Sequence, residues 1–178
     1  ATDDVSADYP TARRRSGRGA ARGGGDAVTG AVEDRLAIFT TRLADTAPVP
    51  AGDAARAGWQ AATALVLAPG REDVEVAIIE RSERAGDRWS GHLALPGGRR
   101  EHGDATLAAT AAREAHEEVG LALGEPLGRL EEHRVRIRPG IVACYAFALD
   151  RPLAMTPQPR EVANADRKST RLNSSHYS

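Results

Sequence analysis

The stretch LALPGGRREHGDATLAATAAREAHEEVG, Leu93 to Gly120, sets the tightest limit on what this chain can fold into. Two glycines follow a proline, and a helix-forming run then ends in three glutamates, Glu114, Glu117 and Glu118. Asp104 is a suitable N-cap, Gly103 before it permits a turn, and Gly120 stands where a left-handed C-cap belongs, so the spacing predicts a helix over Ala105–Val119. At helical spacing Leu107, Ala108, Ala111, Ala112, Ala115 and Val119 share one face, and so much alanine implies close approach to a sheet. The three glutamates line the edge of that face. Carboxylates at i, i+3 and i+4 repel one another, and no Lys or Arg lies four residues on from any of them. Two readings remain: a solvated acidic edge, or a ledge that holds a cation.

The turn in front of the helix favours the ledge. Gly97 and Gly98 let the backbone bend and let a ligand approach amide groups with no Cβ in the way, and Pro96 stiffens the approach. Mg²⁺ prefers a few carboxylates plus waters and phosphate oxygens, so this pattern suits a metal-bound diphosphate. Such a metal would neutralise charge and orient an attacking water.

Strand patterns flank the predicted helix. Ala61–Ala68 and Val74–Glu80 read as paired strands separated by a turn at Pro69 and Gly70, and LGRLEEHRVRI and IVACYAFAL read as two more. Strands on both sides of one helix argue for a mixed α/β (α+β) sandwich rather than a doubly wound sheet. Further upstream, Val32, Leu36, Phe39 and Leu43 give AVEDRLAIFTTRLAD one apolar stripe, a helix expected to pack on the domain before Pro48, Pro50 and Gly52 break the chain. Residues 1–30, rich in Arg, Gly, Ala and Asp, read as a disordered leader.

Composition excludes several classes. The chain has 178 residues and a formal net charge of −1, which suits one globular domain and disfavours a nucleic-acid partner. A single cysteine, Cys144, excludes an internal disulfide and reads as a core thiol. No apolar run reaches the ~18 residues of a spanning helix, and the N-terminal stretch lacks a secretory signal's apolar centre, so no membrane partner and a cytoplasmic location are expected.

GRREHGDATLAATAAREAHEEVGL resembles the Nudix box, G-x5-E-x7-R-E-U-x-E-E-x-G-U, with U a bulky aliphatic residue. Arg113, Glu114, Glu117, Glu118, Gly120 and Leu121 match its second half, with Ala115 at the first aliphatic place. In the first half, counted from Gly98, Asp104 replaces a glutamate, and eight residues instead of seven separate it from Arg113. That departure resembles the coenzyme A diphosphatase branch of the family. The resemblance implies a Nudix-like α/β/α sandwich over residues 31–165. It implies catalytic roles for Arg113, Glu114, Glu117 and Glu118, with the three glutamates binding Mg²⁺ or Mn²⁺ and Arg113 tied to an acidic partner, Asp104. Gly97, Gly98 and Arg81 become substrate-binding candidates, and Glu101, His102, Glu131, Glu132 and His133 candidates for the base that activates water.

The activity implied is metal-dependent hydrolysis of a nucleoside diphosphate derivative, coenzyme A or acyl-coenzyme A first. The upstream pattern of that branch is only partly met: Arg81, Ser82 and Gly91 fit, while Asp87 stands in an arginine's place and Leu95 in a phenylalanine's. Oxidised nucleotides, ADP-ribose and dinucleoside polyphosphates stay open as substrates, and so does a non-catalytic module that binds nucleotide or RNA. The partner expected is a small-molecule nucleotide, with a homodimer allowed. DRKSTRLNSSHYS, residues 166–178, resembles the translated adapter ends of sequencing libraries, so the fold's last strand and helix are expected to be missing and one sheet edge open.

Overall fold

The computed structural model describes residues 24–47, 49, 58–134 and 140–170. Its elements run α1 (Gly24–Thr46), β1 (Trp59–Pro69), β2 (Val74–Arg81), β3 (Leu93–Ala94), β4 (Gly97–Arg99), α2 (Leu107–Val119), β5 (Gly128–Arg134), β6 (Gly140–Ala148) and β7 (Val162–Ser169). The apolar run in β1 puts that strand at the centre. β6 pairs with it in parallel, from Trp59 opposite Gly140 to Leu67 opposite Ala148, while β2 and β4 pair antiparallel along its other side. β5 continues the sheet antiparallel beyond β6, and β3 and β7 pair with β2. The sheet is therefore mixed.

Alternation along β1 sorts its side chains to two faces. Ala62, Ala64, Val66 and Ala68 pack in the main core with Leu107, Ala111, Ala115 and Val119 of α2 and with Tyr145 and Phe147 of β6. Leu67 turns the other way, into a second cluster with Val32, Leu36 and Val74. One helix thus covers each face, the α/β/α sandwich expected. Facing alanines let α2 lie close to the sheet, which brings the carboxylates on its edge against β4.

Several local expectations change. α1 begins at Gly24, so Gly24–Gly30, read as leader, are helical, and Phe39 is more exposed than its place in the stripe implies. α2 is capped by Thr106, whose Oγ1 accepts from the Ala109 amide at 3.0 Å, and it starts at Leu107; Asp104, the expected cap, is buried and bonded elsewhere. Gly120 ends the helix with φ 72°, as its spacing predicts. Gly97 and Gly98 make no turn. They form β4, paired with Thr63 and Ala62 of β1.

The largest correction lies at the C-terminal side. β7 runs from Val162 to Ser169 and pairs antiparallel with β2 from Glu75 to Arg81, so Asp166–Ser169 are strand and close the edge expected to be open. Its physical basis is backbone pairing: Val162 is buried, whereas Asp166–Ser169 are exposed. No helix follows β7 among the described residues. Residues 1–23, the Pro48–Gly52 break apart from Val49, and 171–178 lie outside the described residues.

Candidate active site

Arg113, on the second turn of α2, organises the site. Its Nε and Nη2 donate to the two oxygens of Asp104, both at 3.0 Å, a bidentate pair that ties the loop before α2 to the helix. Nη2 also donates to the Arg99 carbonyl at 2.9 Å and stands 3.0 Å from Glu114 Oε1, while Nη1 donates to Glu117 Oε2 at 2.7 Å. Burial pushes the Asp104 carboxyl up, yet Arg113, the Glu101 amide and the Thr110 hydroxyl together hold it below its ordinary value. The same contacts raise Arg113 well above the normal guanidinium value, led by its hydrogen bonds to Asp104. The acidic partner implied for Arg113 is in place.

The three glutamates divide. Glu117 is exposed and engaged with Arg113. Glu114 and Glu118 are buried, and with Glu161 they form a group in which one carboxylate oxygen from each lies within 4.8 Å of the other two. Glu118 Oε2 accepts from the Gly97 amide at 2.8 Å. Burial pushes the Glu118 carboxyl up to about 7, the Gly97 amide only partly offsets this, and nearby Glu114 adds to it. Burial raises Glu114 as well, against the pull of Arg113. Crowded, desolvated carboxylates of this kind can hold a divalent cation, whose charge would restore both to their ionised forms.

The glycines make room for this group. A Cβ on Gly98 would lie 2.5 Å from the Glu114 carboxyl carbon, and one on Gly97 would lie 2.4 Å from the Ala62 carbonyl oxygen. Their role is close approach of a carboxylate and of β1, rather than a tight turn. Arg81, at the end of β2, is half-buried; its Nη2 donates to Asp87 at 3.0 Å and its charge stabilises ionised Glu118. Among the base candidates, Glu101, His102 and His133 are exposed and Glu132 faces Arg129; none belongs to the carboxylate group, and the Glu131 side chain lies outside the described residues.

Glu161 is the residue that sequence reasoning missed. The chain after Leu153 crosses the end of α2, where the Thr156 amide donates to the Val119 carbonyl at 2.9 Å and the Gln158 amide to that of Glu118 at 2.8 Å. The Ser82 amide then donates to the Glu161 carbonyl at 3.0 Å, and Arg84 lies 3.6 Å from its carboxylate. Only this crossing, 43 residues after Glu118, brings Glu161 to the helix. Cys144 is half-buried and burial pushes its thiol up, in keeping with a core thiol.

Two helices flank a mixed sheet, and the carboxylate-bearing edge of one of them is backed by a glycine strand. The family profile described as NUDIX domain matches residues 59–170, and the chain belongs to that family. An uncharacterized protein of Schizosaccharomyces pombe is 37% identical over 99 residues; the match covers 51% of this chain and spans only 30% of that protein's length. Two solved structures share the fold. The NUDIX domain of Shewanella oneidensis NrtR in complex with ADP ribose superposes with a TM-score of 0.52 at 19% identity, over 67% of this chain and 78% of its own. The Nudix hydrolase RenU of M. smegmatis gives 0.50 at 24%, over 68% and 78%.

Proposed function

We propose that this protein hydrolyses a diphosphate linkage in a nucleoside diphosphate derivative with Mg²⁺ or Mn²⁺, and that Glu114, Glu118 and Glu161 hold the ion. The observation that carries the reading is the convergence of those three carboxylates within 4.8 Å beside the Gly97 amide. The ion supplies charge neutralisation and a more acidic water when bound. The chain supplies the rest. Arg113 and Asp104 fix the helix edge to the preceding loop, Gly97 orients the Glu118 carboxylate, and Arg81 offers a cation toward the substrate phosphates. Glu117 joins the set by exchanging Arg113 for a cation at the exposed side of the ledge. Glu161, exposed at the rim of the group, closes the ligand set from the solvent side.

Coenzyme A or an acyl derivative is the substrate proposed. Asp104 supports it, since the longer loop that resembles the coenzyme A branch still delivers both Asp104 oxygens to Arg113. The test is a panel of coenzyme A, ADP-ribose, dinucleoside polyphosphates and oxidised nucleotides with Mg²⁺ or Mn²⁺. Cleavage of coenzyme A to 3′,5′-ADP and phosphopantetheine at the highest kcat/KM is expected. A tenfold preference for ADP-ribose, the ligand in the NrtR structure, would overturn the coenzyme A assignment and leave the diphosphatase reading intact. A cytoplasmic location and a homodimer belong to the same proposal, and sedimentation of the purified chain tests the second.

A further inference from the structure

The loop Ser82–His92, between β2 and β3, is held from both sides. Within it, the Arg84 amide donates to Ser90 Oγ at 2.9 Å, the Trp89 amide to Asp87 Oδ1 at 2.9 Å, and the Gly91 amide to the Arg81 carbonyl at 3.0 Å. Gly86 and Gly91 adopt φ of 84° and 69°, which only glycine takes without strain. On the side of the carboxylates, Arg84 Nη2 donates to the Arg160 carbonyl at 2.6 Å and Ser82 Oγ to that of Pro159 at 3.1 Å, so the loop rests on the segment that carries Glu161. Asp87 takes Arg81 with its other oxygen.

This braced loop presents apolar surface to water. Trp89 is 62% exposed and Leu93 68%, and the His92 ring buttresses the indole edge-on at 5.6 Å and 89°. Nothing in the core needs Trp89, and a buttressed indole on a rigid loop is a stacking surface of low conformational cost. Arg84, whose guanidinium lies 3.6 Å from the Glu161 carboxylate, also has its amide bonded to Ser90 Oγ, the neighbour of Trp89, so the loop that carries the indole touches the carboxylate group. Arg88, exposed and next to Trp89 in the chain, adds positive charge suited to a phosphorylated ligand, while Arg84 is taken up by Glu161 and the Arg160 carbonyl.

We propose that Trp89 is the platform on which the nucleobase of the substrate stacks. This rests on the diphosphatase reading and adds which end of the substrate lies over the Ser82–His92 loop.

The test uses the full chain and tryptophan fluorescence, with Trp59→Phe isolating Trp89. AMP is expected to quench Trp89, whereas inorganic pyrophosphate and 4′-phosphopantetheine are not. In the Trp59 parent, Trp89→Ala is expected to raise KM about tenfold or more with kcat within about threefold, and Trp89→Phe to restore KM to within about threefold. Equal quenching by AMP and pyrophosphate, quenching by phosphopantetheine alone, or an unchanged KM in Trp89→Ala would overturn the proposal. AMP quenching in a protein that cleaves no diphosphate would support this platform and sink the activity instead.

Discussion

The carboxylate group is assembled from two regions that hold their glutamates by opposite means. On α2, Glu114 and Glu118 stand on a capped helix, packed through alanines onto β1, with Arg113 and two glycines arranged around them. Glu161 instead sits on an exposed stretch leading into β7, a strand anchored at its start by buried Val162 and beyond Ala165 kept in place by backbone pairs with β2. The first region is fixed by packing and the second by crossing contacts. A site built this way has a rigid half and a yielding half.

The sharpest way to break that contrast is charge removal at constant shape. Glu118→Gln should reduce kcat at least about 100-fold, Glu161→Gln about tenfold, and Glu117→Gln less than tenfold, since its carboxylate is already shared with Arg113. Steady-state kinetics of the three variants checks the order. An equal loss in Glu161→Gln and Glu118→Gln would show both halves to be equally committed.

Gly98→Ala probes the rigid half while leaving every glutamate in the sequence unchanged. The new Cβ must displace the Glu114 carboxyl, so kcat should fall about tenfold while circular dichroism stays native. Near-normal turnover would mean that Glu114 has slack.

Proton linkage gives a third test. Because the Glu118 carboxyl is pushed up to about 7 from 4.5, the folded metal-free protein keeps a proton that the unfolded chain has released across that window. Stability should therefore fall as pH rises from about 4.5 to 7, by about 3 kcal/mol at most, and Mg²⁺ should restore it above pH 7. Asp104 works in the opposite sense, its depressed value giving stability that is lost only in acid. Thermal melts with and without Mg²⁺ follow this, and the fall should shrink in Glu118→Gln to the part that Glu114, also raised by burial, contributes. The smallest effect is expected from the yielding half: truncation after Ala165 removes the residues opposite Glu75–Ile78 and should lower Tm by a few degrees.

The same contrast explains what the sequence disclosed. Periodicity and the Gly120 cap placed α2, and short strand-like runs bounded by turn residues placed β1, β2, β5 and β6, the run in β1 being continuously apolar because both of its faces are covered. β7 left no such run: ADRKS pairs through its backbone, which any residue but proline can supply. Glu161 was hidden for a related reason, since its position depends on the Thr156 and Gln158 amides reaching the end of α2. The cap moved from Asp104 to Thr106 because Arg113 claims both Asp104 oxygens, a tertiary contact that no local rule foresees. The glycines were found for their flexibility and are needed for their size.

The hydrogen bond from the Gly97 amide to Glu118 Oε2 turns one backbone proton into a reporter. Its chemical shift tracks the negative charge on that oxygen, so protonation and cation capture should each move a single glycine cross-peak in an amide spectrum. Glycine amides resonate apart from most others, which makes the peak easy to follow. The occupancy of the site can be read from the main chain, with no substrate turned over.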